Sequence, residues 1–240
     1  MSAAPTPDRL FQAMDATWPA AEFFHAGPWT LRRGLGGGKR VSSTTSDSPR
    51  ALDQIDLAEA EMVKIGQNPL FMIRGKDTEL DQRLAARNYK IVDPVLVFCA
   101  RAETIAKIDP APLDAIPCQD PLALMVELWK IGGIEAARVD VMRRTTAPKT
   151  HLFSRFKETP AGVAFVACDG DIAMLHALEV APDCRRFGVA RKMLGRAAIW
   201  AMEQGADTLS TVTTGQNLPA QRLFTGIGMQ VATKYHYRMK

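Results

Sequence analysis

Met174-Leu175-His176-Ala177-Leu178-Glu179-Val180 reads as a strand, Ala181-Pro182-Asp183-Cys184 as a loop, and Arg185-Arg186-Phe187-Gly188-Val189-Ala190 as the opening of a helix. Downstream, Ala190, Met193, Leu194, Ala197 and Ala201 fall at i, i+3, i+4, i+7 and i+11, a helical apolar stripe that Gly205 can terminate. The first turn of a helix has main-chain N–H groups without intrahelical partners, and the helix dipole adds partial positive charge there. A diphosphate can therefore be held at this junction by main-chain donors. Gly188 lets the backbone approach a phosphate without a Cβ in the way, Ala190 keeps the next turn narrow, and Arg185 and Arg186 add cationic donors. A dinucleotide site of the Gly-x-Gly-x-x-Gly type is not supported, because only Gly188 is present.

The pattern Arg-x-x-Gly-x-Ala, following a strand that ends Leu-Glu-Val-x-Pro, resembles the acetyl-CoA motif of the GNAT acyltransferases. Asn217-Leu218-Pro219-Ala220-Gln221-Arg222-Leu223-Phe224, then Gly226-Ile227-Gly228-Met229, resembles that family's second cofactor element. The resemblance covers residues 122–240. It implies an α/β fold with a mixed sheet, acetyl-CoA as cofactor, and direct attack by a primary amine within one ternary complex. It also implies cofactor contacts from Leu178, Glu179, Val180, Arg185, Arg186, Phe187, Gly188, Val189, Ala190 and Asn217. Asn217 is in addition expected to cap its helix, with Pro219 favourable in the first turn.

An amine nucleophile has a reference pKa near 10.4, so a base or a water chain should assist it. Glu179 and His176 lie on the right strand, where alternation places them on opposite faces. Glu179 is carried as the candidate base and His176 as a packed core residue. The family's general acid is a tyrosine in the second element, where this chain has Phe224; Tyr235 is carried as the substitute, with Tyr237 beside it. The rival functional reading, motivated by Phe224, is a non-catalytic acyl-CoA-binding or sensing protein.

The chain also matches itself. Gln82-Arg83-Leu84 recurs as Gln221-Arg222-Leu223, and the same ungapped offset aligns Gly66 with Gly205, Leu70 with Leu209, Val41 with Val180 and Ala51 with Ala190. Two related halves are expected, 1–118 and 119–240, divided within the proline-rich Asp109–Pro121, where the prolines should interrupt any regular element. In the first half the cradle becomes Ser46-Asp47-Ser48-Pro49-Arg50-Ala51, with a proline in place of the glycine and a carboxylate that would repel phosphate. This copy is expected to have lost the cofactor. Gly34-Leu35-Gly36-Gly37-Gly38-Lys39 does not meet the P-loop pattern and reads as a glycine-rich hairpin.

Composition narrows the partners. The 240 residues are 47% hydrophobic and 23% charged, ordinary for a globular protein. Residues 1–118 hold 14 Lys/Arg against 15 Asp/Glu, and residues 119–240 hold 16 against 11. The basic second half suits an anionic small ligand; its charges are not interleaved with aromatics, so no nucleic-acid partner is expected. The four cysteines form no CxxC pair, and no metal ligand is assigned. No long apolar run and no leader-like start are present, so no membrane partner and a cytoplasmic location are expected. The acceptor is a small-molecule or peptide amine, and a homodimer is carried as an option.

Overall fold

The computed structural model describes residues 4–240. In chain order its first elements are α1 (Pro7–Thr17), β1 (Glu22–Ala26), β2 (Trp29–Arg33), α2 (Ile55–Lys64), β3 (Leu70–Arg74), α3 (Thr78–Ala86), β4 (Lys90–Arg101) and α4 (Ala102–Ala106). There follow β5 (Ile116–Cys118), α5 (Ala123–Ile131), α6 (Ala136–Arg144), β6 (Lys149–Phe156), β7 (Thr159–Asp169), β8 (Ile172–Val180), α7 (Val189–Glu203), β9 (Thr208–Thr214), α8 (Leu218–Gly226) and β10 (Gln230–Met239). Among the described residues no helix is long and apolar enough to cross a membrane.

The chain divides into two compact units. Unit 1 comprises the segment ending at Trp18, Val97–Thr213 and Asn217–Ala232; unit 2 comprises Pro19–Leu96, Thr214–Gln216 and Thr233–Lys240. Strand β4 therefore begins in unit 2 and ends in unit 1, and β10 does the reverse.

In unit 1 the strand order is β4, β9, β8, β7, β6, β5. Strands β5 to β8 form an antiparallel meander, and β8 pairs with β9 in parallel. The unbroken buried run in β7 marks a strand covered on both faces. Helix α7 packs on β6 to β8, and α1 and α5 pack on β7 and β8. Met193, Leu194, Ala197 and Ala201 of the expected stripe are fully buried. The helix ends as its glycine requires: Gly205 has φ 84, and Ala206 N–H donates to Ala201 O at 2.9 Å. The proline-rich segment holds one regular element that the sequence reading did not expect, β5. Pro117 is tolerated there because β5 is an edge strand.

In unit 2 the hairpin β1–β2 turns at Gly27-Pro28, with Gly27 at φ 56. Single bridges at Thr45 and Thr44 connect β2 to β3, and β3 pairs antiparallel with β10. Trp29, Ile55, Met62, Phe71, Leu84 and Tyr89 form the core of this unit. The glycine-rich stretch 34–38 is not a hairpin. It is a turn leading into a 3-10 helix at Lys39–Val41, and only Thr44 and Thr45 of the following β-favouring run form bridges.

The self-match keeps its element order but not its single offset. Gly66 and Gly205, both at positive φ, close α2 and α7. From the next turn onward the equivalent features lie one residue further apart. Asp77 and Asn217 are the N-caps of α3 and α8, and the closing bonds Tyr89 N→Leu84 O and Met229 N→Phe224 O correspond. Leu84 thus answers to Phe224, and the matching tripeptides are out of structural register by one.

Candidate active site

Strands β8 and β9 run together only from Ile172–Thr208 to Leu175–Thr211, although both continue, to Val180 and Thr214. Thr211 Oγ1 donates to Leu175 O at 2.9 Å, completing the last paired step. Two residues later Ala177 takes φ 51, and the register with β7 shifts between Val163 and Phe165. This is a β-bulge, which bends a strand and ends pairing on one side. Trp129 of α5 holds it by donating Nε1–H to Ala177 O at 2.8 Å. Beyond the bulge β8 still pairs with β7, Glu179 opposite Val163 and Val180 opposite Gly162. Its other edge, along Leu178, Glu179 and Val180, has no ladder partner from β9.

The bulge also resets the alternation of side chains. His176 pairs with Phe165 and Glu179 with Val163, two positions apart on β7, so both point to the same face, the one covered by α1 and α5. The expectation of opposite faces fails for this reason. His176 is nonetheless a core residue, as expected: it is 4% exposed, its ring lies 5.1 Å from that of Trp18, and its Nε2 is 2.9 Å from Thr17 Oγ1. Since that hydroxyl already donates to Ala13 O at 2.6 Å, it accepts from His176.

After Val180 the chain makes a 3-10 turn, Pro182–Cys184, then passes through Arg186 at φ 64 and Gly188 at φ 83 into α7. A left-handed Gly188 followed by helical Val189 is a pairing that can turn successive N–H groups toward one point. No side chain caps α7, and its first intrahelical bond at this end is Lys192 N→Gly188 O at 3.0 Å, so the amides of Val189, Ala190 and Arg191 come before any such bond. Arg186, Phe187 and Gly188 are exposed, while Val189 is buried. A Cβ at Gly188 would meet no protein atom within 4 Å, so the fold itself demands glycine here for its φ.

Arg185 is engaged locally. Its Nε donates to Val180 O and its Nη2 to Glu179 Oε1, both at 3.0 Å, stapling the loop to the end of β8. Glu179, with a side chain 22% exposed, is held on a second side by α5. A Cβ on Gly132 would lie 2.4 Å from Glu179 Cγ and 2.8 Å from its Oε2. Gly162 is equally confined, 2.9 Å from Met193 Sδ by the same construction, which lets α7 lie close against β7. The sequence reading missed Gly132 and Trp129; the Gly132-Gly133 pair is legible only as a helix stop.

The other predicted residues are spread out. Asn217 caps α8 by accepting from Ala220 N–H at 3.2 Å. Phe224 is 3% exposed and packs on Phe98 with ring centroids 5.4 Å apart. Tyr235 belongs to unit 2, where it is 3% exposed and edge-on to Tyr237. His151, not singled out in the sequence, is 2% exposed between Phe165 and Trp129. Its Nδ1 lies 3.0 Å from Gln119 O, Nε2 has no partner among the described residues, and burial pushes its pKa down.

Comparison with known proteins agrees with this geometry. Residues 125–229, which include β8, the loop, α7 and all of α8, match the model of the Acetyltransferase (GNAT) family. The chain is 26% identical over 235 residues to "Uncharacterized N-acetyltransferase YobR" of Bacillus subtilis (strain 168), covering 94% of this chain and 95% of that protein. Among solved structures it is similar to a GCN5-related N-acetyltransferase from Kribbella flavida, with TM-score 0.76 at 14% identity, over 99% of this chain and 96% of that one. It is also similar to a tandem GNAT protein from the clavulanic acid biosynthesis pathway, with TM-score 0.64 at 12% identity, over 88% and 77% of the two chains. At such identities the structural likenesses bear on the fold, and they agree with the α/β mixed-sheet class. The motif, the family match over residues 125–229 and the full-length relative all accord with the GNAT superfamily of acetyltransferases.

Proposed function

We propose that this chain is an N-acetyltransferase that moves an acetyl group from acetyl-CoA to a primary amine by direct attack. The observation that carries the reading is continuity: the edge of β8 left unpaired after Leu175 leads through one loop to the uncapped start of α7. The residues fit the cofactor's chemistry. The amides from Gly188 to Arg191 suit a diphosphate, and the open edge at Leu178–Val180 suits an extended amide-containing arm. When bound, acetyl-CoA supplies an activated acyl thioester.

The remaining work falls to the chain. Main-chain donors on the open edge would stabilise charge developing on the acyl oxygen. Glu179 would take the proton of the attacking amine, directly or through water, while Arg185 and Gly132 fix its position. Phe224 has no proton to donate, so its position supplies no acid. Tyr235 is proposed only as a reserve acid, because a thiol of pKa near 8.5 leaves as thiolate unaided. Residues 1–118 are proposed to be a degenerate copy of 119–240 that lacks the cofactor loop.

Thiol release from acetyl-CoA across a panel of amines tests the activity. Release is expected with at least one amine class, and Glu179→Gln should lower kcat by about 100-fold. The second reading, an acyl-CoA-binding protein without turnover, is favoured by the buried Phe224. It gains if acetyl-CoA binds tightly and no amine in a broad panel releases thiol.

A further inference from the structure

Phe187, the residue before Gly188, is 57% exposed, yet its ring rests against another. It lies nearly parallel to Phe156, at the end of β6, with centroids 4.6 Å apart and planes 18° from each other. Phe156 is half-buried, and the ammonium of Lys157 lies 5.6 Å from its ring centroid. A single exposed phenylalanine would need no explanation. Here a second ring from another strand supports the first, so one face of Phe187 is covered while more than half of the residue remains open to solvent.

Such a surface is suited to a flat aromatic ligand, because stacking on a ring held parallel by a second ring costs little ordering. Its position narrows the ligand. The next residues form the turn proposed above to hold a diphosphate, and in an adenine nucleotide only a ribose separates the base from that group. We infer that Phe187, backed by Phe156, is the stacking platform for the adenine base of the CoA nucleotide. This inference rests on the proposed acetyl-CoA site and adds a side-chain contact to its main-chain one.

The test compares acetyl-CoA with S-acetyl 4′-phosphopantetheine, which lacks the adenosine, its 3′-phosphate and one phosphate of the diphosphate, on the wild type, Phe187→Ala and Phe187→Trp. Phe187→Ala is expected to weaken acetyl-CoA about ten-fold and leave the truncated thioester unchanged, while Phe187→Trp keeps the wild-type affinity. Because Phe187 is more than half exposed, losing its stack on Phe156 should lower the melting temperature by no more than about 4 °C. The inference is overturned if Phe187→Ala leaves acetyl-CoA binding intact, or weakens both thioesters equally. If the wild type binds the truncated thioester as tightly as acetyl-CoA, the base makes no contact and the inference fails alone. If it binds neither, the cofactor reading fails and takes the inference with it.

Discussion

At the entrance to α7 the chain passes through two residues at positive φ, and the helix begins without a side-chain cap. In the corresponding loop of the first half, which enters a 3-10 helix at Pro49–Asp53 ahead of α2, the donors are already in use. Ser46 Oγ accepts from Ser48 N–H at 3.1 Å, Ser48 Oγ accepts from Arg50 N–H at 3.3 Å, and Pro49 has no N–H to offer. Arg74, 9% exposed, reaches from β3 to bond Ser46 O, Asp47 and Asp77. Above this loop is a cavity of about 280 Å³, lined by Asp47, Asp77 and Glu79 against a single Lys76. An anion would meet carboxylates there and few available amides. The strand before it is also reduced to two bridges, whereas β8 is nine residues long. An anion site at a helix start thus needs more than the helix: the loop must leave its amides unspent, and a strand must deliver the ligand to them.

The largest effect should come from attacking the open loop. Gly188→Leu forces a side chain into φ 83 and fills the space over the amides, so acetyl-CoA affinity by calorimetry should fall at least 100-fold. The converse change in unit 2, Pro49→Gly, should create no second binding event, because the serines and Arg74 still occupy the loop. A second site in that variant would break the contrast. Next in size, Gly132→Ala displaces Glu179 and should lower kcat about ten-fold with the KM for acetyl-CoA unchanged. A fall in cofactor affinity instead would assign Glu179 to binding.

Smaller effects sharpen the comparison. Trp129→Phe removes the donor to Ala177 O and should cost about 1–2 kcal/mol in denaturant unfolding. Asp47→Asn tests the closed loop. Burial pushes the Asp47 carboxyl up, but Lys76 and Arg74 outweigh it and hold it below its ordinary range. A depressed carboxyl stabilises the fold above its unfolded value and loses that contribution as pH falls through the folded one. The variant should therefore show a small drop in melting temperature at pH 7 that fades as pH falls below the ordinary carboxylate range.

What could be read in the sequence was local. Strand, loop and helix around Gly188, the stripe ending at Gly205, the Asn217 cap and the closed character of Ser46–Ala51 all follow from residue type and short spacing. What could not be read depends on distant partners. Nothing near Ala177 announces positive φ; the bulge is held by Trp129, 48 residues away in sequence, and it is the bulge that brings Glu179 and His176 to one face. The confinement of Glu179 by Gly132 is likewise a contact between separate elements. The self-match misled by one residue because a tripeptide identity carries no packing information, whereas the buried Leu84 and Phe224 do.

Cofactor binding at this site depends on the main-chain amides at the start of α7. Amide-resolved NMR of the protein titrated with CoA addresses them directly. Large shifts and slowed exchange at Val189, Ala190 and Arg191, with Arg50 and Ala51 unmoved, are predicted. Saturable CoA binding that leaves those three amides unperturbed would contradict it.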